Sequence, residues 1–344
     1  MRTHRHRTTW NVILATLAVG SLVVAGCGSS SSSSKSSSSA SSGSGSAAAS
    51  SSSTTLSIGD QAGTGSEALL QAAGLINKLP FKVKWADFTS GPPMLEAMSS
   101  GSIDVGGVGD APPVFSASSG GKIAIVSATA TNPAKGALLV PKGSPITSIS
   151  QLKGKKIAVA QGSSAHYHLL TVLNKAGLSV HDVTIDYLQP AQALAAFASG
   201  SVDAWDIWSP FLEEAVAKDH AKVLVDGNGY GSNYSYVVAS RAAIQNSTTA
   251  GEIRTYLKLL DQAQVWADTH QQAFGALWAK ATGLPTSITD KAAADSTAKV
   301  VPINPTIISA EQGVANAFSK AGLIPSDPKF SQFAYTGFNP AVGG

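Results

Sequence analysis

The sequence predicts an α/β protein built from two similar lobes. Short apolar runs of strand type alternate with helix-like stretches along the chain. A constant shift of 99 residues superposes one block of the chain on another, so that Ile58 falls on Ile157. The 344 residues are 43% hydrophobic and only 13% charged. The chain is therefore long and apolar enough to bury a substantial core in each lobe.

The predicted elements follow from runs of apolar and β-branched residues separated by turn residues. The strands are expected at Leu56–Gly59, Lys82–Phe88, Val105–Gly109, Lys122–Ala128, Lys156–Ala160, Val183–Tyr187, Lys222–Val225 and Tyr234–Ala239, with a further strand around Trp205–Ile207. The helices between them are expected at Glu67–Asn77, Pro92–Ser99, His166–Ala176 and Ala191–Ala198. This alternation is typical of parallel sheets covered by helices.

The internal repeat predicts how the chain divides. Under the shift, matched pairs include Gly63 with Gly162, Leu70 with Leu169, Phe88 with Tyr187, Ser100-Gly101-Ser102 with Ser199-Gly200-Ser201, and Asp104 with Asp203. We expect lobe I to comprise residues 55–139 plus 236–344 and lobe II residues 140–235, joined by two hinge crossings near Leu138–Pro141 and Tyr234–Val238. Facing strand ends of two such lobes form a cleft, where sheets of this kind bind ligands.

The first residues are typical of an export signal followed by a tether. Arg2, Arg5 and Arg7 precede about 13 mostly apolar residues, which is too few for a membrane span. Val24-Ala25-Gly26-Cys27 resembles the bacterial lipobox, which predicts a signal over residues 1–26 and a lipid on Cys27 at the outer face of the cell membrane. The Ser-rich residues 27–54 are expected to be a flexible tether. The alternative is an ordinary signal with an incidental cysteine.

Charge and cysteine content exclude two classes of protein. Without the three signal arginines, the basic residues number 21 and balance the 21 acidic ones. A neutral body lacks the basic footprint of a nucleic-acid binder, so we expect no nucleic-acid partner. Cys27 is the only cysteine of the sequence, which excludes a disulfide scaffold.

Four helix starts carry the strongest functional signal, because each follows a predicted strand at the cleft edge. They are Ser90-Gly91-Pro92, Asp110-Ala111-Pro112, Gly162-Ser163-Ser164 and Ser209-Pro210. Ser, Asp or Gly near an N-cap, with Pro at the first turn, marks a helix N-terminus. The exposed amides and partial positive charge of such a terminus attract anions. Several termini at one cleft predict an oxyanion site.

Aromatic and titratable residues near these helix starts leave alternatives open. Trp205 stands at the end of its predicted strand and is expected to form an apolar pocket wall. The alternative is that it packs in the core. Trp85, Trp266 and Trp278 are expected to pack in the core. His166 can donate to a ligand from the first turn after Ser164. Asp110 can be an N-cap or can hold a ligand ammonium group. His166 and His168 point apart on a helix, so we expect no metal site.

Catalytic patterns are missing from the sequence. It has no G-x-S-x-G elbow, no P-loop, no H-E-x-x-H motif and no thiol nucleophile beyond Cys27. Ser163 or Ser164 with His166 would be a local pair without an orienting acid. We therefore expect a protein that is not an enzyme and needs no cofactor.

Several short sequence motifs resemble those of the aliphatic sulfonate-binding proteins of ABC importers, which belong to the nitrate, sulfonate and taurine substrate-binding family. These are the words from Phe88 to Met98, Gly101-Ser-Ile-Asp-Val105, Gly109-Asp-Ala-Pro-Pro-Val-Phe115, Gly162-Ser-Ser-Ala-His166 and Gly200-Ser-Val-Asp-Ala-Trp205. The resemblance implies a type II periplasmic-binding-protein fold with two hinge crossovers. It implies ligand positions at Ser90, Gly91, Asp110, Ala111, Ser163, Ser164, His166 and Trp205. Gln61, after the first strand, and Gly162, in the turn before Ser163, are further expected ligand positions. Ser209-Pro210 departs from the family's frequent Asp-Pro.

The resemblance also implies a function. It implies a monomer that captures a small alkanesulfonate by closure of two lobes and delivers it to an ABC permease and its ATPase. The rival ligands are nitrate, taurine and a pyrimidine precursor. The pyrimidine-precursor synthases of this fold use cysteine-rich words that the sequence lacks.

Overall fold

The computed structural model describes residues 55–61 and 65–343. The predicted signal, Cys27 and the predicted tether lie outside the described residues. No helix in the described part of the chain is both long enough and apolar enough to cross a bilayer.

Two β-sheets organise the described residues. The first has six strands in the order β11-β4-β10-β3-β1-β2 and the second five strands in the order β7-β6-β8-β5-β9. The first sheet consists of β1 (Thr55–Asp60), β2 (Lys82–Asp87), β3 (Val105–Val108), β4 (Ile123–Thr131), β10 (Tyr234–Ser240) and β11 (Ala298–Val301). The second consists of β5 (Gly136–Val140), β6 (Lys156–Val159), β7 (Thr184–Tyr187), β8 (Ala204–Trp208) and β9 (Lys222–Asp226).

Eleven α-helices of the described residues connect and cover these strands. They are α1 (Ser66–Ala72), α2 (Gly91–Ser99), α3 (Ala111–Ser118), α4 (Ser164–Lys175), α5 (Pro190–Ala198), α6 (Phe211–Lys218), α7 (Arg241–Gln245), α8 (Ser247–Thr269), α9 (Gln271–Thr282), α10 (Thr286–Asp295) and α11 (Pro305–Lys320). Helices α4, α5 and α6 lie in the lobe of the second sheet, and the other helices lie in the lobe of the first sheet. The predicted α/β class and the predicted strands are confirmed.

Both lobes are built by the same rule. β1 pairs in parallel with β2 and β3, and β6 pairs in parallel with β7 and β8. Parallel neighbours require a helical crossover, which explains why a helix follows each of these strands. β10 and β11 pair antiparallel with β4 and complete lobe I after the chain has returned from lobe II.

Helices cover both faces of each sheet, so the apolar strands are buried. On one face of the first sheet, Leu56 and Ile58 pack with Tyr256 of α8. On its other face lie Met94 of α2 and Phe318 of α11. Each lobe thus has its own core on both sides of its sheet, the pattern of parallel sheets in α/β proteins.

The chain crosses between the sheets at residues 132–135, after β4, and at residues 227–233, before β10. The first crossing lies before the expected segment Leu138–Pro141. Leu138 and Leu139 instead pair with Asp206 and Trp205 of β8 and are fully buried. An apolar run of this kind gains more by completing a central strand than by forming an exposed hinge.

Candidate ligand-binding site

A cavity of about 290 Å³ lies at the strand ends between the two sheets. Gly91, Gly109 and Pro112 line it from lobe I, and Ser163, Ser164, Trp208 and Ser209 line it from lobe II. These residues are the ends of strands and the first turns of the helices that follow them. Four of the expected site residues therefore share one cavity: Gln61, Gly91, Ser163 and Ser164.

The N-terminus of α4 is the best-formed anion-binding element of this cavity. Ser163 is its N-cap, as expected, and its Oγ accepts a hydrogen bond from the His166 amide at 3.3 Å and donates to the Ala160 carbonyl at 2.7 Å. Ser163 is 3% exposed, so its side chain is held in place. The first amides of α4 and its dipole favour a negative charge at this point.

Ser164 connects this helix to lobe I. The Asp110 amide donates to Ser164 Oγ at 3.1 Å. A Cβ atom on Gly109 would stand only 1.8 Å from Ser164 Oγ. Glycine at position 109 is therefore required for the two lobes to approach each other here.

Lys135, on the first crossing, lines the same cavity and was not predicted as a site residue. Its Nζ donates to Ser235 Oγ at 2.9 Å. Removal from solvent lowers the pKa of Lys135 to about 8, although the charge of Asp110 opposes the shift. The ammonium group is still mostly protonated at neutral pH and supplies positive charge. The sequence prediction missed it because the hinge was placed after this residue.

Asp60 is the second site residue that the sequence prediction missed. Its carboxylate accepts hydrogen bonds from the amides of Gln61 at 2.9 Å, Ser66 at 3.0 Å and Glu67 at 2.7 Å. Burial raises the pKa of Asp60, while these three donors counteract the shift. A Cβ atom on Gly65 would stand 1.3 Å from Asp60 Oδ1, so the carboxylate fills the space at the start of α1.

Asp110 and Ala111 do not line the cavity. Asp110 makes no side-chain cap of α3, and its Oδ2 instead accepts from Ser232 Oγ at 2.7 Å on the second crossing. Ala111 is fully buried in the core of lobe I. Asp110 therefore stands at the N-cap position of α3, as expected, but its side chain holds the second crossing and does not cap the helix.

His166 faces the contact between the lobes and not the cavity. Its Nδ1 accepts from the Gly162 amide at 3.2 Å, and its ring packs beside Phe115 and Phe318 of lobe I, with centroid distances of 6.0 and 5.2 Å. Burial lowers the pKa of His166 to about 4, so the ring is neutral near pH 7. The expected donation to a ligand therefore has no support from this geometry.

His168 is separated from His166 and pairs with a different group. Its Nδ1 lies 2.8 Å from Asp206 Oδ2, and its Nε2 lies 3.1 Å from the Asp226 carbonyl. Burial alone would lower the pKa of His168, but the charge and hydrogen bond of Asp206 and the hydrogen bond to the Asp226 carbonyl together outweigh burial and raise the pKa. The described residues contain no group of three or more His, Cys, Asp or Glu placed to hold a metal ion.

Trp205 does not line the cavity and so does not form the pocket wall expected from the sequence. Trp205 is fully buried in the core of lobe II, with Phe197 and Phe211 at centroid distances of 5.7 and 6.4 Å. Side chains alternate along β8, so Trp205 faces the core while Trp208, at the end of the strand, lines the cavity. The tryptophan wall is thus formed three residues later than predicted.

Ser90 reaches across the cleft instead of facing the cavity. Its Oγ and that of Thr89 donate to Gln189 Oε1 of lobe II at 2.9 and 3.0 Å. Gln189 is the residue that falls on Ser90 under the shift of 99 residues, a signal that the sequence analysis did not use. On lobe I, Gln61 Nε2 donates to the Gly107 carbonyl at 3.1 Å and lies in the cavity lining.

Known proteins are similar to this chain over most of its length. The family model described as "ABC transporter, phosphonate, periplasmic substrate-binding protein" matches residues 73–283. The putative aliphatic sulfonates-binding protein of Escherichia coli (strain K12) is 34% identical over 273 residues, which cover 78% of this chain and 85% of that protein. The protein of the same name in Bacillus subtilis (strain 168) is 31% identical over 238 residues, covering 68% and 70%.

A solved structure agrees with these relatives. The alkanesulfonate-binding protein SsuA from Xanthomonas axonopodis pv. citri, bound to MOPS, matches 82% of this chain and 98% of its own with a TM-score of 0.77 and 34% identity. The expected periplasmic-binding-protein fold is confirmed. The family model spans more than half of the chain, and both relatives exceed 30% identity over more than two-thirds of their length. The chain therefore belongs to the family of periplasmic substrate-binding proteins of ABC transporters.

Proposed function

We propose that this protein binds a small organosulfonate between its two lobes and delivers it to an ABC importer. One observation carries the proposal: the cavity brings the N-terminus of α4 and the ammonium group of Lys135 to one space. Asp60 is the only acid among the described residues that line it, and both of its carboxylate oxygens already accept backbone amides. A monoanion is therefore favoured there.

Charge distinguishes a sulfonate from the rival ligands. A phosphonate becomes a dianion near neutral pH, whereas Lys135 is the one cationic side chain among the described lining residues. The ammonium group of taurine would need a free acceptor, which Asp60 does not offer. Nitrate is much smaller than a cavity of about 290 Å³. The names of the two relatives and of the solved structure also support a sulfonate.

Closure of the lobes is the second part of the proposal. Ser90 and Gln189, and Asp110 and Ser164, already form hydrogen bonds between the lobes. A ligand that contacts both Ser164 and Gly91 would favour this closed arrangement over an open one. The closed monomer would then present its ligand to the permease, with the ATPase driving import.

Calorimetry with a ligand panel tests this function. We expect ethanesulfonate to bind and ethylphosphonate, propionate, taurine, nitrate and an aminopyrimidine to bind at least about tenfold more weakly, a difference of about 1.4 kcal/mol. Lys135→Met should weaken ethanesulfonate binding by about 10–100-fold, the scale of a hydrogen bond to a charged group. Lys142→Met, at an exposed lysine, is the matched control. A preference for any other ligand would replace the sulfonate assignment.

The same samples test whether the protein turns its ligand over. We propose that it does not, because the hydroxyls of Ser163 and Ser164 bond within the fold and His166 faces away from the cavity. Ethanesulfonate recovered after prolonged incubation should therefore have an unchanged mass. Any sulfite in the solution would contradict this.

We further propose that Cys27 carries a lipid that ties the protein to the outer face of the cell membrane. The support is the sequence Val24-Ala25-Gly26-Cys27 after an apolar stretch. Cys27→Ala should move the protein from the membrane fraction to the soluble fraction, while Ser29→Ala should leave it on the membrane. Equal membrane retention of the two variants would disprove the anchor.

A further inference from the structure

The cavity does not end at the anion-binding elements but continues into lobe I. Its lining there comes from three helices and the edge of the sheet: Leu69 of α1, Leu260 of α8, Phe274 and Trp278 of α9, and Val300 of β11. We call this part the inner chamber. Trp278, expected from the sequence to be a packing residue, does belong to the core of lobe I and also forms part of this lining.

The inner chamber is apolar and aromatic. Leu69, Phe274 and Trp278 are 6%, 7% and 2% exposed. The rings of Phe274 and Trp278 stack, with centroids 5.3 Å apart and an interplanar angle of 19°. The polar residues that α8 and the segment before β11 add to the lining, Gln264 and Ser296, are uncharged. A ligand group that enters here must therefore be uncharged and mostly apolar.

The volume of the whole cavity decides how large that group can be. A cavity of roughly 150 Å³ lined by aliphatic and aromatic side chains is enough to bind benzene. The cavity here measures about 290 Å³. It therefore has room for a six-membered ring in the inner chamber and for a sulfonate group beside Ser163 and Lys135.

A flat ring suits this chamber better than a linear chain of equal carbon number. A hexyl chain must lose the freedom of several rotatable bonds when it becomes ordered, whereas a phenyl ring has almost none to lose. A ring also gains the specific attraction of aromatic pairs against Phe274 and Trp278. The chemistry of the chamber thus favours aromatic over linear tails.

We propose that the inner chamber is a subsite for the aromatic ring of an arylsulfonate, with the sulfonate group at the N-terminus of α4. This inference rests on the proposed function and deepens it by naming the substrate class. The ring lies against Leu260, Phe274 and Trp278 in lobe I, and the anion lies between the lobes. The protein then selects its substrate by two separate parts of one cavity.

Titration calorimetry with ethanesulfonate, hexanesulfonate and benzenesulfonate tests the subsite. The unmodified protein should bind benzenesulfonate at least about tenfold more tightly than ethanesulfonate, and also more tightly than hexanesulfonate, because the buried ring area adds to the affinity. Leu260→Trp places a large ring in the chamber. It should remove the preference for benzenesulfonate and leave the affinity for ethanesulfonate within about twofold.

Two further variants control this test. Val265→Trp adds the same side chain on the same helix at a residue that is 64% exposed, and it should change neither affinity. Ala298→Leu fills the chamber from β11 with a smaller group and should have the same selective effect if Leu260→Trp fails to fold. Retained ethanesulfonate binding shows that each variant is folded.

The outcomes separate the two proposals. Ethanesulfonate binding without a preference for benzenesulfonate overturns the subsite and leaves the proposed function standing. Equal losses of both ligands in Leu260→Trp and Ala298→Leu, with Val265→Trp unaffected, also overturn the subsite. Failure of every sulfonate to bind the unmodified protein overturns both.

Discussion

The strand-turn-helix units that open the two lobes share one framework but differ where the first helix begins. In lobe I, the Ser57 amide donates to Asp104 Oδ2 at 2.8 Å, and in lobe II the Lys156 amide donates to Asp203 Oδ2 at the same distance. These pairs are related by the shift of 99 residues. The units then differ at the helix that follows the first strand, where lobe I has a buried carboxylate and lobe II has a hydroxyl.

This difference decides where an anion can bind. The N-terminus of α1 is already occupied, because Asp60 accepts three backbone amides there. The N-terminus of α4 has only the cap of Ser163 and keeps its attraction for an outside anion. Under the proposed function, the two similar units take different tasks: lobe II holds the anion of the ligand, and lobe I offers apolar surface to its tail.

Ser163→Asp would make lobe II resemble lobe I, and we expect the largest effect from it. A carboxylate at the N-terminus of α4 would occupy the place of the ligand anion, so ethanesulfonate binding should fall by more than about 100-fold, or about 2.7 kcal/mol. Asp is as good an N-cap as Ser, but it cannot donate to the Ala160 carbonyl as Ser163 does, so the melting temperature should fall while the fold is retained. Calorimetry and a melting curve measure the two effects separately.

Ser163→Ala is the matched control for this change. It removes the cap without adding charge and should cost about 1–2 kcal/mol of binding and about 1 kcal/mol of stability. Similar, small losses from both variants would mean that the anion binds elsewhere.

Asp60→Asn tests the occupied helix of lobe I. One carboxylate oxygen becomes an amide nitrogen that faces a backbone N–H, so the free energy of unfolding should fall by about 3 kcal/mol. Chemical denaturation measures the loss. Glu67→Gln, on the same helix but partly exposed, should change stability by less than about 0.5 kcal/mol. A stability loss no larger than that of the control would show that Asp60 does not hold α1.

His166 makes lobe II sensitive to acid at a point where lobe I has no histidine, because its counterpart under the shift is the partly exposed Glu67. The pKa of His166 is about 4 in the folded protein and about 6.5 when solvated. Its neutral form thus favours folding fully above pH 6.5, and this stability is lost as the pH falls from 6.5 towards 4. The loss should reach about 2–3 kcal/mol.

Melting curves between pH 4 and pH 7 measure this dependence. His166→Gln keeps an acceptor for the Gly162 amide but cannot take up a proton, so its curve should be flatter over this range. An unchanged slope in the variant would assign the acid sensitivity to other groups.

The smallest expected effect concerns the equivalent residues that meet across the cleft. Ser90→Ala removes one neutral hydrogen bond between the lobes and should weaken ethanesulfonate binding by about 0.5–1.5 kcal/mol. Gln189→Ala also removes the bond from Thr89 and should weaken binding by at least as much. Because the two residues share one bond, the double variant should lose less than the sum of the two. Strict additivity, measured by calorimetry, would argue against the bond in the ligand-bound state.

The framework was predictable because it is encoded locally. The N-cap at Ser163 and the alternation of strands and helices can both be predicted from short sequence segments. The match of Phe88 with Tyr187 under the 99-residue shift is wrong by one residue. Tyr187 pairs with Val159, and the counterpart of Val159 in lobe I is Asp60, which pairs with Asp87. The structural counterpart of Tyr187 is therefore Asp87 and not Phe88. A single extra residue in one lobe is invisible to an alignment without gaps.

The remaining site residues depend on contacts that no local pattern reports. Trp205 and Trp208 are both tryptophans near a strand end, and only the register of β8 decides which one is buried. Lys135 enters the cavity because the crossing lies earlier than expected. The inner chamber joins α1 to α8 and α9, which are distant in sequence and have no repeat counterpart.

Lys135 has a consequence for the heat of binding. With a pKa of about 8, part of its population is neutral in the free protein above neutral pH. An anion placed beside it favours the charged form, so capture of a sulfonate would draw protons from the buffer. At pH 8.5, the binding enthalpy should therefore change between phosphate and Tris buffers in proportion to their ionisation enthalpies. At pH 6 the difference should vanish, and in Lys135→Met it should vanish at both pH values.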